Sequence, residues 1–527
     1  MVISEQQRAS SVHDGGTIGD MIVTLLDRYP QRIAFIDGAR RFTYAETRDA
    51  ISRALQQLRA LGLRRGDTVV QLSGNRPEVF FVTAAIYLLG LRSVTLQAMG
   101  GIEDHAYILD HCEVRLLLAD AAYAGRARAL RDRLPAVPHW YLHEADAEFS
   151  GFWAEASRFT PAPLPSEATP DDIIRLAYTG GTTGRPKGVM LPGRATLTQT
   201  LLLMAGRAWS DAPRFLCPTP ISHGAGATLI PVLWRGGTII LQQGFDPDRF
   251  LDALEQHGAT ATFLVPTMVY KLLDHPRTRQ TDFSQLETLM YGAAPMSPAR
   301  IREALAVFGP VLQQGYGQTE APSAILTLSR LDHLDADDSI LSSAGKPYPG
   351  IAVRLLDDDD REVPQGEVGE ICVRGPLVMA GYLKQPEQTA EVLRNGWLHT
   401  GDMAYRDARG FFFIVDRKKD MIISGGFNVF PKEVEDVLTA HPAVSAAAVI
   451  GVPDAKWGEA VKAIVVCRSG WQVSAEELAA HVKARKGAVA TPKTVDFVAQ
   501  LPLTVLGKPD KKALRAPYWE GRTRAVG

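Results

Sequence analysis

The sequence has few cysteines, no excess of either charge and no long apolar run. Its four cysteines, Cys112, Cys217, Cys372 and Cys467, are scattered through 527 residues and form no CxxC pair. Such spacing fits a reduced, cytoplasmic chain better than a disulfide framework or a zinc site. Lys plus Arg number 57 and Asp plus Glu 59, a net charge of -2, so the electrostatic footprint of a nucleic-acid binder is missing. The most apolar stretch, residues 79–91, is interrupted by Thr83 and Gly90. It falls short of the ~18 apolar residues of a membrane span, so no integral membrane segment is expected. The N-terminal MVISEQQRASSVHDGG has no apolar signal core, and the C-terminal RAVG is neither a peroxisomal address nor a prenylation signal. The hydrophobic share of 46% is that of a globular protein. At ~100–200 residues per domain, the length implies two to four folding units.

The first half alternates helix and strand signals. Thr43 and Glu46 form a capping-box pattern ahead of Ile51, Ala54, Leu55, Leu58 and Leu61 at helical spacing, and Gly62 is placed to stop that helix. Residues 67–73, 114–120, 237–243 and 259–266 read as short buried strands, Pro77 opens an apolar helix, and FDPDRFLDALEQHG reads as another. The alternation predicts parallel sheets covered by helices. Beyond about residue 340 the pattern becomes strand, turn, strand, a small β subdomain over about 340–416. Asp357, Asp358, Asp359 and Asp360 read as a solvated turn, because four consecutive side chains do not converge on one ion. The last hundred or so residues predict a separate α+β unit. Pro431 opens a helix whose Val434, Val437 and Leu438 share a face, and Ser474 with Glu477 makes a second capping box.

The most informative segment is YTGGTTGRPKGV at 178–189, expected between the strand DDIIRLAY and the helix MLPGRATLTQTLLLM. Its glycines and threonines do not build a core; they expose N–H groups and hydroxyls of the kind a polyphosphate requires. It is not a Walker A loop, since Pro186 precedes Lys187 and no Ser or Thr follows it.

This segment closely resembles the phosphate-binding signature of the adenylate-forming superfamily, which includes acyl-CoA synthetases, peptide-synthetase adenylation domains and firefly-type luciferases. Further matching segments follow in the family's order: PISHG at 220–224, YGAAP at 291–295, QGYGQTE at 314–320, WLHTGD at 397–402, DRKKD at 416–420, ISGG at 423–426 and Gly507-Lys508. The resemblance implies a large N-terminal domain, 1–416, of two helix-covered sheet subdomains and a small β-barrel-like subdomain. A mobile α+β cap, 417–527, would follow, hinged at Lys419. It implies that ATP and a small-molecule carboxylic acid form acyl-AMP and pyrophosphate, with Mg2+, before the acyl group passes to CoA. Thr179, Gly180, Gly181, Thr182, Thr183, Gly184 and Lys187 would hold the β- and γ-phosphates. Thr319 would contact the α-phosphate, and Glu320 would ligate the metal. Gly292, Ala293 and Ala294, with Gln314, Gly315, Tyr316, Gly317 and Gln318, would surround the adenine. Asp402 and Arg417 would read the ribose, with Ile414 nearby. Lys508 would sit between carboxylate and α-phosphate, offsetting the repulsion of two anions. Ser424, Gly425, Gly426 and Trp457 would face CoA, whereas Lys511 and Lys512 are expected to be solvated. His223 would shape the acyl pocket; no general base is needed, because a carboxylate is already ionised near neutrality.

The sequence departs from the family pattern at Gly180 (usually Ser), Ala293 (commonly Gly), Phe427 (usually Glu) and Pro509 (usually Ile or Leu). None of these removes a charge central to the reaction. The leading reading is an AMP-forming acid–CoA ligase acting on an aryl or a medium- or long-chain acid. An acyl-AMP ligase serving a carrier protein is the rival. A non-catalytic adenylate-binding protein is disfavoured by the presence of Lys508 and Glu320. The identity of the acid and the choice between monomer and homodimer are left open.

Overall fold

The alternating signals of the first half fold into layered α/β structure, in a computed structural model that describes residues 16–98, 100–179, 185–334, 337–417, 420–425, 427–454, 456–503 and 509–520. Thr43 caps the helix Tyr44–Ala60 reciprocally. Its hydroxyl accepts the Glu46 N–H at 3.1 Å, and the Glu46 carboxylate accepts the Thr43 N–H at 2.7 Å. Gly62 follows with φ +75°, the left-handed turn expected of a helix stop. The helix Pro77–Leu88 is buried on nearly every side, which explains why its sequence carries no polar stripe.

The chain condenses into two compact units, one of Met1–Phe263, Gly317–Ala324 and Gly375–Glu391, the other of Leu264–Tyr316, Ile325–Arg374 and Val392–Gly527. The first unit holds an eight-stranded sheet in the order Gly381–Tyr382, Lys187–Pro192, Ile173–Thr179, Arg92–Thr95, Thr68–Leu72, Val114–Ala119, His139–Leu142, Ser150–Gly151. Pairings from Ile173–Thr179 onward to Ser150–Gly151 are parallel, while Lys187–Pro192 is antiparallel to both neighbours. The same unit pairs Ile33–Asp37, Thr238–Leu241, Arg214–Cys217 and Ala261–Leu264 in parallel. Of these strands, Thr68–Leu72, Val114–Ala119, Ile173–Thr179, Thr238–Leu241 and Ala261–Leu264 fall on the runs read as strands in the sequence; the others carry no such reading.

A buried histidine gives the first unit a pH dependence. His143 is fully enclosed; its Nδ1 accepts the Trp153 indole N–H at 3.0 Å, so Nε2 carries the proton and faces Ser73 Oγ at 3.0 Å. Protonating Nδ1 would set two N–H groups against each other. Burial, reinforced by the Arg76 charge, pushes the His143 pKa down to about 3. The unfolded chain, at about 6.5, therefore binds a proton that the folded chain refuses. Stability is full above pH ~6.5 and declines as pH falls toward 3, by at most about 1.4 kcal/mol per pH unit. Denaturant titrations between pH 7 and 4 should show this slope, flattened in His143→Gln; an identical slope in the variant would exclude His143 as its source.

The second unit pairs Thr288–Gly292 in parallel with Leu312–Gln318. Its expected β subdomain is an antiparallel sheet of Ala352–Leu356, Gly369–Arg374, Trp397–Arg406 and Phe412–Arg417, with Leu393–Arg394 pairing Trp397–Arg406. Asp357, Asp358 and Asp359 are exposed, as a solvated turn requires. Asp360 differs: Arg394 Nη2 and Nε donate to its Oδ1 at 2.9 and 3.0 Å. The small C-terminal domain has its own sheet, ordered Phe427–Val429, Ile422–Ser424, Gly458–Cys467, Val444–Asp454, with Thr494–Phe497 beside Gly458–Cys467. Val434, Leu438, Val449, Val461, Val465, Leu478 and Val482 form its core. Pro431 lies in the first turn of Pro431–Thr439 as predicted. The second capping box is only half made. Ser474 accepts the Glu477 N–H at 3.1 Å, but the Glu477 carboxylate turns to His441 at 3.4 Å.

Candidate active site

The glycine- and threonine-rich segment joins two antiparallel strands, with Thr179 paired opposite Lys187. This corrects the expected strand-to-helix junction. Residues 190–192 continue the strand, whose Val189 and Leu191 are buried, and the helix Gly193–Gly206 begins only after Pro192. Gly180, Gly181, Thr182, Thr183 and Gly184 lie outside the described residues. The Lys187 ammonium rests 5.1 Å from the centre of the Tyr382 ring, within cation–π range. The Tyr382 hydroxyl donates to Glu320 Oε1 at 2.8 Å. Tyr382 is held there by pairing with Val189 and by its own N–H bond to Thr389 Oγ1 at 2.9 Å. Burial, then the Glu320 charge, pushes the phenol pKa well above its ordinary value, so Tyr382 remains a donor. Thr319 and Glu320 form the turn between Leu312–Gln318 and Ala321–Leu328. The Met379 N–H bonds the Glu320 carbonyl at 2.8 Å and fixes that turn.

His223 lies in the turn between Arg214–Cys217 and Gly226–Trp234. Its N–H bonds the Pro220 carbonyl at 3.1 Å, and its Nδ1 meets Ser222 Oγ at 2.7 Å. Burial and the nearby Arg175 charge push its pKa down to about 4. The imidazole is neutral at pH 7 and a weak base there.

In the second unit, Asp402 is 5% exposed and carries one partner on each oxygen. Tyr316 donates to Oδ2 at 2.6 Å, and Arg417 Nε lies 3.0 Å from Oδ1, directly across the strand pair. Each carboxylate oxygen has a second lone pair, so two sugar hydroxyls can still be accepted. The preceding turn is braced: the Gly401 N–H bonds Glu370 Oε1 at 2.8 Å, and the Asp402 N–H bonds Thr400 Oγ1 at 3.1 Å. Glu370, Cys372 and His399 cluster there, with His399 Nδ1 3.3 Å from Cys372 Sγ and 3.4 Å from Glu370. Gly292 faces Gly315, whose carbonyl would lie 2.5 Å from any Cβ at 292; only glycine fits. Ala293, next to it, adopts φ +68°, a left-handed conformation that disfavours a side chain and suits glycine. Ala294 and Gln314 through Gln318 line the same strand ends, and Ile414 is half-buried opposite Ala404.

In the small domain Gly425 has φ +60°, and its N–H bonds the Trp457 carbonyl at 2.8 Å. A Cβ at 425 would lie 2.6 Å from the Trp457 ring. Trp457 is 39% exposed, flanked by the Lys456 and Lys493 ammonium groups at 4.8 and 5.7 Å, and Ser424 is buried.

A family model for AMP-binding enzyme matches residues 24–383, and one for the AMP-binding enzyme C-terminal domain matches 433–508. The chain belongs to the AMP-binding enzyme family. Among its relatives, a medium/long-chain-fatty-acid–CoA ligase of Mycobacterium tuberculosis is 44% identical, covering 97% of this chain and 91% of the relative. A feruloyl-CoA synthase of Amycolatopsis is 40% identical, covering 93% and 96%. The structure of an amide bond synthetase from Marinactinospora thermotolerans superposes with a TM-score of 0.88 at 33% identity, covering 95% of this chain and 99% of that one.

Of the positions matched to this AMP-binding family, the structure brings Lys187 and Glu320 onto Tyr382, and Tyr316 and Arg417 onto Asp402. Lys419, Gly426 and Lys508 lie outside the described residues. Lys512 is exposed, as expected. Lys511 is not the solvated residue predicted: its side chain is 17% exposed and lies 2.9 Å from Glu435 and 3.7 Å from Asp416. A basic cluster in sequence gives no warning of this, because both partners are at least 76 residues away along the chain. Tyr382 was also missed; nothing in AGYLKQP marks it, since its role comes from strand pairing with Val189.

Proposed function

We propose that this AMP-binding enzyme is an acid–thiol ligase. A carboxylate oxygen attacks the α-phosphorus of ATP, pyrophosphate leaves with the bridging electron pair, and the acyl group of the acyl-AMP then passes to the CoA thiol with release of AMP. The observation that carries this reading is the convergence of Lys187 and Glu320 on Tyr382, with Lys187 on the strand that follows the glycine-rich segment in sequence: a cation, a fixed donor and a hard anion. Phosphoryl transfer needs charge neutralisation and alignment more than covalent help. Lys187, Thr179, Thr182 and Thr183 are proposed to hold the outer phosphates, and Thr319 the α-phosphate. The Glu320 carboxylate suits a hard divalent cation such as Mg2+, which would offset phosphate charge. Asp402 and Arg417 are proposed to hold the ribose, with Tyr316 and residues 292–294 against the adenine. Lys508, on a cap hinged at Lys419, is assigned to the reacting anions, and Ser424–Gly426 with Trp457 to the CoA side. The free thiols of all four cysteines support a reducing, cytoplasmic setting.

The acid is proposed to be an aryl or a medium- to long-chain aliphatic carboxylate, supported by the fatty-acid and feruloyl relatives. Pyrophosphate release across aryl and aliphatic acids, with and without CoA, tests the whole reading. Acid-dependent release followed by thioester formation is expected. Release with no thioester on adding CoA would transfer the second step to another acceptor, such as a carrier protein or an amine.

A further inference from the structure

A buried amide lies behind the His223 loop, and no family motif quoted above contains it. Asn75 follows the strand Thr68–Leu72 and is 4% exposed. Its Nδ2 donates to the Thr219 carbonyl at 2.8 Å and the Gln242 carbonyl at 2.9 Å, with the Cys217 carbonyl at 3.4 Å. Its Oδ1 accepts the Ile221 N–H at 2.9 Å. The amide orientation is fixed by these partners, because a flip would set oxygen against carbonyls and N–H against N–H. Gln243 clamps the Asn75 backbone, its Oε1 accepting the Asn75 N–H at 3.2 Å and its Nε2 donating to the Asn75 carbonyl. The side chain thus ties the ends of Arg214–Cys217 and Thr238–Leu241 to the start of the 219–224 turn. Two residues beyond Ile221 comes His223.

We infer that Asn75 is the positioning residue of the acid subsite, holding the 219–224 turn so that His223 and Gly224 present a fixed wall to the acyl group. Three carbonyl oxygens and one N–H converge on this position, and among residues of its size only an amide supplies donors and an acceptor together. Aspartate has the same shape but no donor, and would set an anion against three carbonyls. Loss of the amide leaves buried backbone groups unpaired, and the turn must shift to hydrate them. The inference rests on the assignment of His223 to the acid side.

The test compares Asn75→Ala and Asn75→Asp with wild type in acid-dependent pyrophosphate release, together with amide hydrogen exchange across 219–224. The KM for the acid should rise at least tenfold, more for Asn75→Asp, while the KM for ATP stays within about twofold. In Asn75→Ala/His223→Ala the two effects should be less than additive, since both act through one turn. Parallel changes in both KM values, additive effects or unaltered acid KM would overturn the inference. If wild type shows no acid-dependent release, the functional reading fails by itself. The positioning claim is then decided by exchange: faster exchange at Ile221 and His223 supports it, and unchanged exchange overturns it. Gln243→Ala, which loosens the clamp and keeps the amide, gives the same readouts in smaller measure should the Asn75 variants not fold.

Discussion

Replacing Lys511 by Met is expected to destabilise the second unit by about 3–5 kcal/mol, the cost of leaving buried charge unpaired. Lys511 stands between Glu435 and Asp416, side chains that are 16% and 6% exposed. The carboxylates have other partners: Glu435 Oε1 accepts the Val449 N–H at 2.7 Å, and Asp416 accepts the N–H groups of Arg417 at 2.6 Å and Lys432 at 3.1 Å. Burial pushes both acids above the usual carboxylate range, only partly countered by the ammonium. Burial would lower the ammonium itself, but the two carboxylates outweigh it and hold its pKa above the ordinary lysine value. Without the ammonium the acids rise further, so the folded variant binds protons that the unfolded chain does not. By linkage its stability should then increase as pH falls from 7.5 toward 5, narrowing the gap to wild type. Lys511→Arg should retain most of the stability. Denaturant unfolding at the two pH values decides: a loss under 1 kcal/mol at pH 7.5, or one that is pH-independent, would show that the cluster is not electrostatically coupled.

Lys508→Ala is expected to slow acyl-AMP formation by about 10²–10³-fold, the range for removing one preorganised group that stabilises developing charge. In the proposed first step a carboxylate meets a phosphate, two anions whose repulsion the Lys508 ammonium is proposed to relieve. The second step starts from neutral acyl carbonyl and thiol, with AMP as leaving group, and has no such anionic encounter to relieve. Thioester formation from preformed acyl-AMP should therefore remain within a few-fold of wild type. Rapid-quench measurement of each step separates them. Equal losses in both steps would move Lys508 out of the proposed role.

Much of the fold was legible because local chemistry and final structure agree. Thr43 and Glu46 cap the helix they announce, Asp246 caps Pro247–His257, and short apolar runs become parallel strands. What was not legible depends on partners distant along the chain. Residues 190–192 look like the start of a helix until strand Lys187–Pro192 pairs with 173–179 on one side and 381–382 on the other. Glu477 satisfies the capping pattern, yet His441 offers it a better partner. Lys511 sits in a basic run that normally means solvent, and only the fold supplies Glu435 and Asp416. The site divides the same way. Motifs pointed to Lys187, Glu320, Asp402 and Tyr316, whereas Tyr382, which touches Lys187 and Glu320, and Asn75, which ties down the 219–224 turn, left no local trace.

The pairing of Thr179 with Lys187 has a consequence for insertions and deletions nearby. Lys187 is a rung of the ladder between Ile173–Thr179 and Lys187–Pro192, so the sheet sets the face from which its ammonium projects. Adding or removing one residue within 188–192 would turn Lys187 to the opposite face, carrying the charge away from Tyr382.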